Sequence, residues 1–395
     1  MMDLGLSRTA KRLTRDGDDV WAVSFRADEI EQNGGQGLRL CVGDPDFATP
    51  DAIHAAVSDS LKRGRTHYSS AQGELELRKS IAELENKTSR HSCDPEQVVV
   101  FPGATNALFA VLSCLLDTED ELVVPEPMYA GYSGIFNTVG CQVIHAPLDT
   151  ANNFSLDIEK TKAAVSDKTR AVLVNTPGNP AGNMASGEQL EALAAFCLDR
   201  GIWLICDEVY SMLTFDQPHV SIRRAAQSPD NIISINSLSK SHAMSGWRLG
   251  WVIVPAGLAP SMHNFNGGTL YGCPQFIQDA AACALRHDGD HVADMRDQYR
   301  LRRDYVVERI SGIPELQCQP PTGGMFVMAD VSSTGLNGRQ FALQLLEEQR
   351  VSLVPGDGFG GSTENFVRIT LAQPVEVLSE AFDRIETFLQ HRHLS

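Results

Sequence analysis

Residues 231–248 read NIISINSLSKSHAMSGWR. An apolar, β-branched run at 231–235 leaves the core and ends in Asn236-Ser237-Leu238-Ser239-Lys240, a polar stretch carrying one amine. The same form occurs twice upstream. The run 170–174 (RAVLV) passes into Asn175-Thr176-Pro177-Gly178-Asn179-Pro180, and 202–206 (IWLIC) passes into Asp207-Glu208-Val209-Tyr210. Further short apolar runs lie at 97–101, 121–125, 141–145 and 250–254, with helical stretches between most of them, clearest at 104–116 and 186–200. Near-continuous apolar strands alternating with helices predict an α/β fold whose central sheet is mostly parallel and covered on both faces. In open sheets of this kind ligands bind beyond the carboxyl ends of the strands, so the three polar ends are expected to converge in one cleft.

The regions on either side read differently. Thr49-Pro50 predicts a helix N-cap followed by proline at the first helical position, with Ile53, Val57 and Leu61 at helical spacing and a stop at Gly64. A second helix is expected over about 74–88. Beyond about 275 a long amphipathic helix is expected through roughly 290–311, then strands at 324–330 and 366–371 with a helix around 338–349. This predicts a large domain over 46–285 and a smaller α+β domain built from 286–395 with the 1–45 arm.

Composition narrows the function classes. The 395 residues include 33 Lys plus Arg against 50 Asp plus Glu, a net charge of −17, which disfavours nucleic acid or an anionic membrane surface as partner. The nine cysteines are scattered from Cys41 to Cys318 without a C-x-x-C, and a chain of this size has no need of disulfide staples. The opening residues have no apolar core like that of a signal peptide, so a cytoplasmic protein is expected. The uncharged run from Val98 to Leu116 has spanning length, but Pro102-Gly103 breaks it and predicts a buried strand followed by a helix.

Lys240 is the chemical pivot. A lysine in a loop is ordinarily a solvated surface residue. One desolvated near another cation loses basicity and becomes a nucleophile, and Arg248 stands eight residues on. Pro102-Gly103-Ala104-Thr105-Asn106, between a strand and an apolar helix, is either an ordinary turn or a cradle whose free backbone N–H groups hold an anion. Three other patterns are weaker. Gly356-Asp357-Gly358-Phe359-Gly360-Gly361 matches G-x-G-x-x-G, but a strand rather than a helix follows, so a flexible loop able to close over the site is expected. Ser237-x-x-Lys240 matches a penicillin-recognising motif, but no K-T-G accompanies it. His287 and His291 have metal spacing, yet Asp288, Gly289 and Asp290 between them predict a solvated loop, and no metal site is expected.

Together these residues resemble the fold-type I pyridoxal 5′-phosphate (PLP) enzymes, specifically the class I/II aminotransferases. The resemblance runs from Gly43-Asp44-Pro45-Asp46-Phe47-Ala48-Thr49-Pro50 to Val367-Arg368-Ile369. It rests on Asn179-Pro180, Asp207 with Tyr210, Ser237-x-Ser239-Lys240, Arg248 and Arg368 in that order. It implies that Lys240 links covalently to PLP and, once freed, moves the substrate proton. Asp207 would keep the ring nitrogen protonated. Asn179 and Tyr210 would bond the cofactor's phenolic oxygen, and Tyr129 would stack on its ring. Gly103, Ala104, Thr105, Ser237, Ser239 and Arg248 would bind the phosphate. Tyr68 would reach the neighbouring subunit's phosphate, which implies a homodimer with shared sites. Arg368 would clamp the substrate α-carboxylate with its planar fork, helped by Asn179 and the Gly43 N–H. The partners implied are a small-molecule amino acid and a 2-oxo acid.

The reaction branch is less determined, since PLP-dependent lyases share the fold. Thr105 stands where some dicarboxylate-specific relatives carry a lysine, and no Lys or Arg occurs between Arg248 and Arg286. A strict aspartate/glutamate enzyme is therefore disfavoured. A closer resemblance, to the bacterial arginine–pyruvate transaminases, lies in Ser237–Met244 with Gly246-Trp247-Arg248, in Leu270-Tyr271-Gly272 with Phe276–Ala281, and in Gly323–Met328. It implies transfer of the arginine α-amino group to pyruvate. The alternatives are a broad-specificity neutral, aromatic or aspartate aminotransferase, or a C–S lyase. A PLP-sensing transcription regulator would need an N-terminal DNA-binding domain, for which about 40 residues leave too little chain.

Overall fold

The computed structural model describes residues 5–13, 20–286 and 289–393. Its centre is a seven-stranded sheet in the spatial order Val98–Phe101, Gly250–Ile253, Ile232–Ser237, Trp203–Asp207, Thr169–Asn175, Glu121–Glu126 and Gln142–Pro147. All pairings are parallel except the two made by Gly250–Ile253. Apart from the edge strand Gln142–Pro147, the strands are buried on both faces, which is why they read as near-continuous apolar runs instead of alternating ones. Val99 and Phe101 point into a core with Ala107, Leu108 and Val111 of the helix Ala104–Leu115. Val98 and Val100 point the other way, against Leu77 and Ile81 of Leu75–Thr88 and Ala280 and Ala284 of Gln275–Arg286. Each such valine, leucine, isoleucine or phenylalanine contributes about 1.5–3 kcal/mol by leaving water.

Register positions the site. Asn175 pairs with Asp207, and Asp207 with Ile235, so the first two strands end level and the third runs two residues further, to Ser237, at the same end of the sheet. Ser237 pairs with Gly250, and Gly250 with Phe101, which brings the segment after Ser237 and the turn after Phe101 to the same end of the sheet.

A second, four-stranded antiparallel sheet has the order Val354–Pro355, Phe366–Thr370, Phe326–Asp330 and Gln317–Cys318. Arg368 lies in its interior, opposite Met328 on one side and Val354 on the other. Leu38–Arg39 pairs in parallel with Val351–Ser352, tying the N-terminal region to the C-terminal part. The helices at 338–349 and 289–311 lie where the periodicity puts them. The 98–116 run is a strand and a helix as expected, and among the described residues no helix is long and apolar enough to cross a membrane.

Three local expectations differ from the structure. Thr49 does not cap the helix Asp51–Lys62, whose N-cap is Pro50. The Thr49 hydroxyl instead donates to the Ala243 carbonyl and accepts from the Trp247 indole N–H, so tertiary contacts outcompete the local cap. The glycine run at 356–361 is not an open loop. It folds into two short 3₁₀ turns, Gly356–Phe359 and Gly361–Thr363, anchored by a buried Phe359 whose carbonyl accepts from Met128 N–H. Of the histidine pair, His287 lies outside the described residues, and His291 sits in the first turn of Gly289–Ser311, not in a loop.

Candidate active site

The strand ends open into one cavity of about 280 Å³. Gly43, Ala104, Thr105, Tyr129, Asn179, Asp207, Tyr210, Ser237, Ser239, Lys240, Arg248 and Arg368 all line it. Gly103 stands directly behind Arg248, and Tyr68 stands apart. Tyr68 is 85% exposed and meets Tyr271 at a ring-centroid distance of 5.5 Å, so within one chain it is outside the cavity.

Lys240 follows the Ile232–Ser237 strand by three residues, and its Nζ donates to the Gly43 carbonyl at 2.7 Å. Burial lowers its pKa to about 8, Asp44 opposes the fall, and Arg368 and Arg248 add to it. An appreciable neutral fraction near neutral pH makes this amine a nucleophile and a base. Gly43 therefore meets the site through its carbonyl, and a Cβ there would lie 2.6 Å from the Phe326 ring.

Asp207 ends its strand at 7% exposure. Burial raises its carboxyl to about 6, while the Tyr132 hydroxyl at 2.6 Å and the Val209 N–H at 3.2 Å restrain the rise. Such a carboxylate is suited to a cationic or N–H partner arriving from the cavity. Asn179 Nδ2 lies 3.5 Å from the Tyr210 hydroxyl, and burial holds that phenol well above its ordinary pKa.

Arg368 is 2% exposed, and burial lowers its pKa to about 10. Nη1 donates to Asn179 Oδ1 at 2.8 Å and Nη2 to the Cys41 carbonyl at 3.1 Å, while Nε has no protein partner. The Phe326 and Phe359 rings lie 4.0 and 5.0 Å from the guanidinium carbon. Among the described residues no carboxylate pairs with it. A buried cation held by aromatic rings and neutral acceptors has its electrostatic demand met when an anion enters.

Next to the lysine is an anion cradle. Gly103 adopts φ +89° before the helix Ala104–Leu115, and a Cβ there would lie 2.4 Å from Arg248 Nη2. A Cβ on Gly250 would lie 2.5 Å from Ala104 N. Both glycines thus let a cation and a helix N-terminus approach one spot, with the hydroxyls of Thr105, Ser237 and Ser239 beside it. A phosphate-bearing aldehyde with a basic ring nitrogen fits this donor set. The cradle would take the phosphate, Lys240 the aldehyde end and Asp207 the nitrogen.

Sequence reasoning missed Tyr132, Trp21 and Phe326, and placed Asn175 at the cleft without a role; all four line the cavity. Tyr132 had a usable signal: it begins the helix Tyr132–Val139 three residues after Tyr129, and the two rings meet edge to face at 5.3 Å. Asn175 was visible at a strand end, where its amide donates to the Asp207 carbonyl and its Oδ1 accepts from Asn179 N–H. Trp21 and Phe326 are brought in from far along the chain, and nothing local marks them.

Residues 36–385 match the family model described as "Aminotransferase class I and II". The chain is 43% identical over 375 residues to the arginine–pyruvate transaminase of Pseudomonas aeruginosa, covering 95% of each chain. It is 35% identical over 367 residues to the aspartate aminotransferase of Pyrococcus abyssi, covering 91% of this chain and 93% of that one. The solved aspartate aminotransferase of Thermus thermophilus with maleate superposes with a TM-score of 0.91 at 30% identity, covering 96% of this chain and 98% of that one.

Proposed function

Because this chain belongs to the class I and II aminotransferases, we propose that it is a PLP-dependent enzyme transferring the α-amino group of arginine to pyruvate. It is an enzyme that moves amino groups between amino acids and 2-oxo acids. The cofactor, the arginine specificity and the residue roles are our reading. The observation that carries it is a desolvated amine, Lys240, sharing one cavity with Arg368, a buried guanidinium that no protein carboxylate among the described residues neutralises. Preference for arginine is supported by the 43% identity to a transaminase of that name.

When bound, PLP supplies an aldehyde that condenses with amines and a ring that holds the electron pair released when the substrate Cα loses its proton. In this reading the chain's residues do the rest. Gly103, Ala104, Thr105, Ser237, Ser239 and Arg248 grip the phosphate. Asp207, ionised above about pH 6, holds a protonated ring nitrogen, and Tyr132 steadies it. Asn179 and Tyr210 bond the ring oxygen, while Tyr129 covers the ring. Arg368 takes the α-carboxylate, which orients the Cα–H bond toward Lys240, and Lys240 Nζ takes and returns the proton.

The same reading divides the chain into a 46–285 cofactor-binding domain and a small domain of 286–395 with the 1–45 arm. It pairs two copies so that the exposed Tyr68 of each serves the other's phosphate site. Nine unpaired thiols support work in the reducing cytoplasm.

The test is a panel of amino donors offered to the holoenzyme with pyruvate or 2-oxoglutarate, scored by keto-acid release. Arginine with pyruvate should give 5-guanidino-2-oxopentanoate and alanine at the highest kcat/KM. Fast turnover of aspartate with 2-oxoglutarate, and none of arginine, would refute the arginine reading while leaving the aminotransferase intact.

A further inference from the structure

The cavity carries three cationic side chains, Lys240, Arg248 and Arg368, against one carboxylate at its floor, Asp207. A donor with a second positive charge must place it away from all three cations. Trp21, which lines the cavity, and Asp44, which borders it through Gly43 and Ser245, offer a place. Trp21, half-buried, immediately precedes the helix Ala22–Gln32 and lines the cavity. Asp44, exposed, follows the cavity-lining Gly43 and accepts a hydrogen bond from the hydroxyl of Ser245, which lines the cavity too. Among the described residues Asp44 makes no ion pair. Its field reaches the cavity, for it opposes the fall in the Lys240 pKa.

We infer that Trp21 and Asp44 form the side-chain subsite of this aminotransferase and that the group it takes is a guanidinium. This rests on the arginine reading above and names the residues that would execute it. A guanidinium is planar, delocalised and weakly hydrated, so it lies on an indole face at small desolvation cost, which an ammonium does not. Its N–H fork satisfies the carboxylate oxygens that the Ser245 hydroxyl leaves free, since a carboxylate accepts about four hydrogen bonds in all.

Holoenzyme carrying Trp21→Leu or Asp44→Asn is compared with wild type on arginine, on citrulline (the uncharged ureido isostere) and on alanine, with a 2-oxo acid acceptor. Wild type should prefer arginine to citrulline. Each variant should lower the arginine-to-citrulline and arginine-to-alanine ratios of kcat/KM by about tenfold. The dissociation constant of 5-guanidinopentanoate, which has no amino group to react, should rise by a similar factor in calorimetry, while that of 5-ureidopentanoate moves less. Ratios and dissociation constants within twofold of wild type in both variants would overturn the subsite. A wild-type enzyme that turns over other donors but not arginine would overturn the arginine reading itself.

Discussion

Asp207→Asn separates what the buried carboxylate costs the fold from what it does for a ligand. Burial raises the Asp207 carboxyl from 3.8 to about 6. The folded chain therefore binds this proton more tightly than the unfolded chain does. The stability this contributes is complete below pH 3.8 and is lost as pH rises through about 6. At ~1.4 kcal/mol per pH unit, the ionised carboxylate destabilises the cofactor-free fold by about 3 kcal/mol at neutral pH. Asparagine is neutral throughout: its one oxygen can accept from the Val209 N–H, and its amide can donate to the Tyr132 hydroxyl oxygen in place of the bond that hydroxyl gives to the carboxylate. Cofactor-free Asp207→Asn should thus be more stable than cofactor-free wild type at pH 8 by up to about 3 kcal/mol. With an unfolding entropy of ~2.1 cal/mol/K per residue over this chain, that is about 3–4 °C in Tm. The gap should close by pH 4, where the wild-type carboxyl is protonated as well. Calorimetric scans of both cofactor-free proteins from pH 4 to 8 measure it. In the presence of PLP the order should reverse, because the variant offers no negative charge to a protonated ring nitrogen. A variant less stable than wild type at pH 8, or a Tm gap of one size at all pH values, would refute the reasoning.

Tyr132→Phe removes the 2.6 Å bond that restrains the Asp207 pKa, a charge-assisted contact worth about 1.5–3 kcal/mol. The acid limb of a PLP-retention titration should move up by about one to two pH units, and an unmoved limb would leave Tyr132 a packing residue only. Gly103→Ala puts a side chain on a backbone at φ +89° and 2.4 Å from Arg248 Nη2. The PLP dissociation constant should rise at least tenfold with kcat at saturating PLP little changed. Unaltered PLP affinity would move the phosphate elsewhere.

Much of this architecture is legible in the sequence because burial on both faces leaves a local signature. The seven strands announce themselves as apolar runs, and the polar residues that end three of them are conspicuous against that background. What the sequence hides is set by long-range packing. Arg368 is an unremarkable arginine in a short strand, and only resemblance to a family gives it a role; its setting depends on Phe326 of the neighbouring strand and Phe359 of a 3₁₀ turn meeting over it. The 356–361 run misleads because four of its six residues are glycine. Their backbone freedom suggests an open loop, whereas the single apolar side chain among them, Phe359, pins it. Thr49 misleads in the opposite sense, carrying a cap signal that the Ala243 carbonyl and the Trp247 indole divert.

The acidic balance of the chain and the chemistry of its cavity pull in opposite directions, and the geometry explains why. A chain of net charge −17 repels anions at long range. Yet the cavity gathers three cations from three separate places: one beyond a parallel strand, one beside a helix N-terminus and one inside the antiparallel sheet. Lys240 and Arg368 both have lowered pKa values, so the protein alone does not satisfy them. An α-carboxylate at Arg368 would restore the charged state that burial disfavours there, and a phosphate at Arg248 would place a second anion in the cavity. Binding energy is then concentrated on the two anionic groups that flank the reacting carbon, which holds that carbon near Lys240. In the proposed reading the substrate side chain is left to the part of the cavity near Trp21. Arg368 is buried and Arg248 exposed, whereas Trp21 is a half-buried aromatic residue of the cavity lining and Asp44 an exposed carboxylate beside it. Specificity can therefore change at those two positions without disturbing the chemistry beneath them.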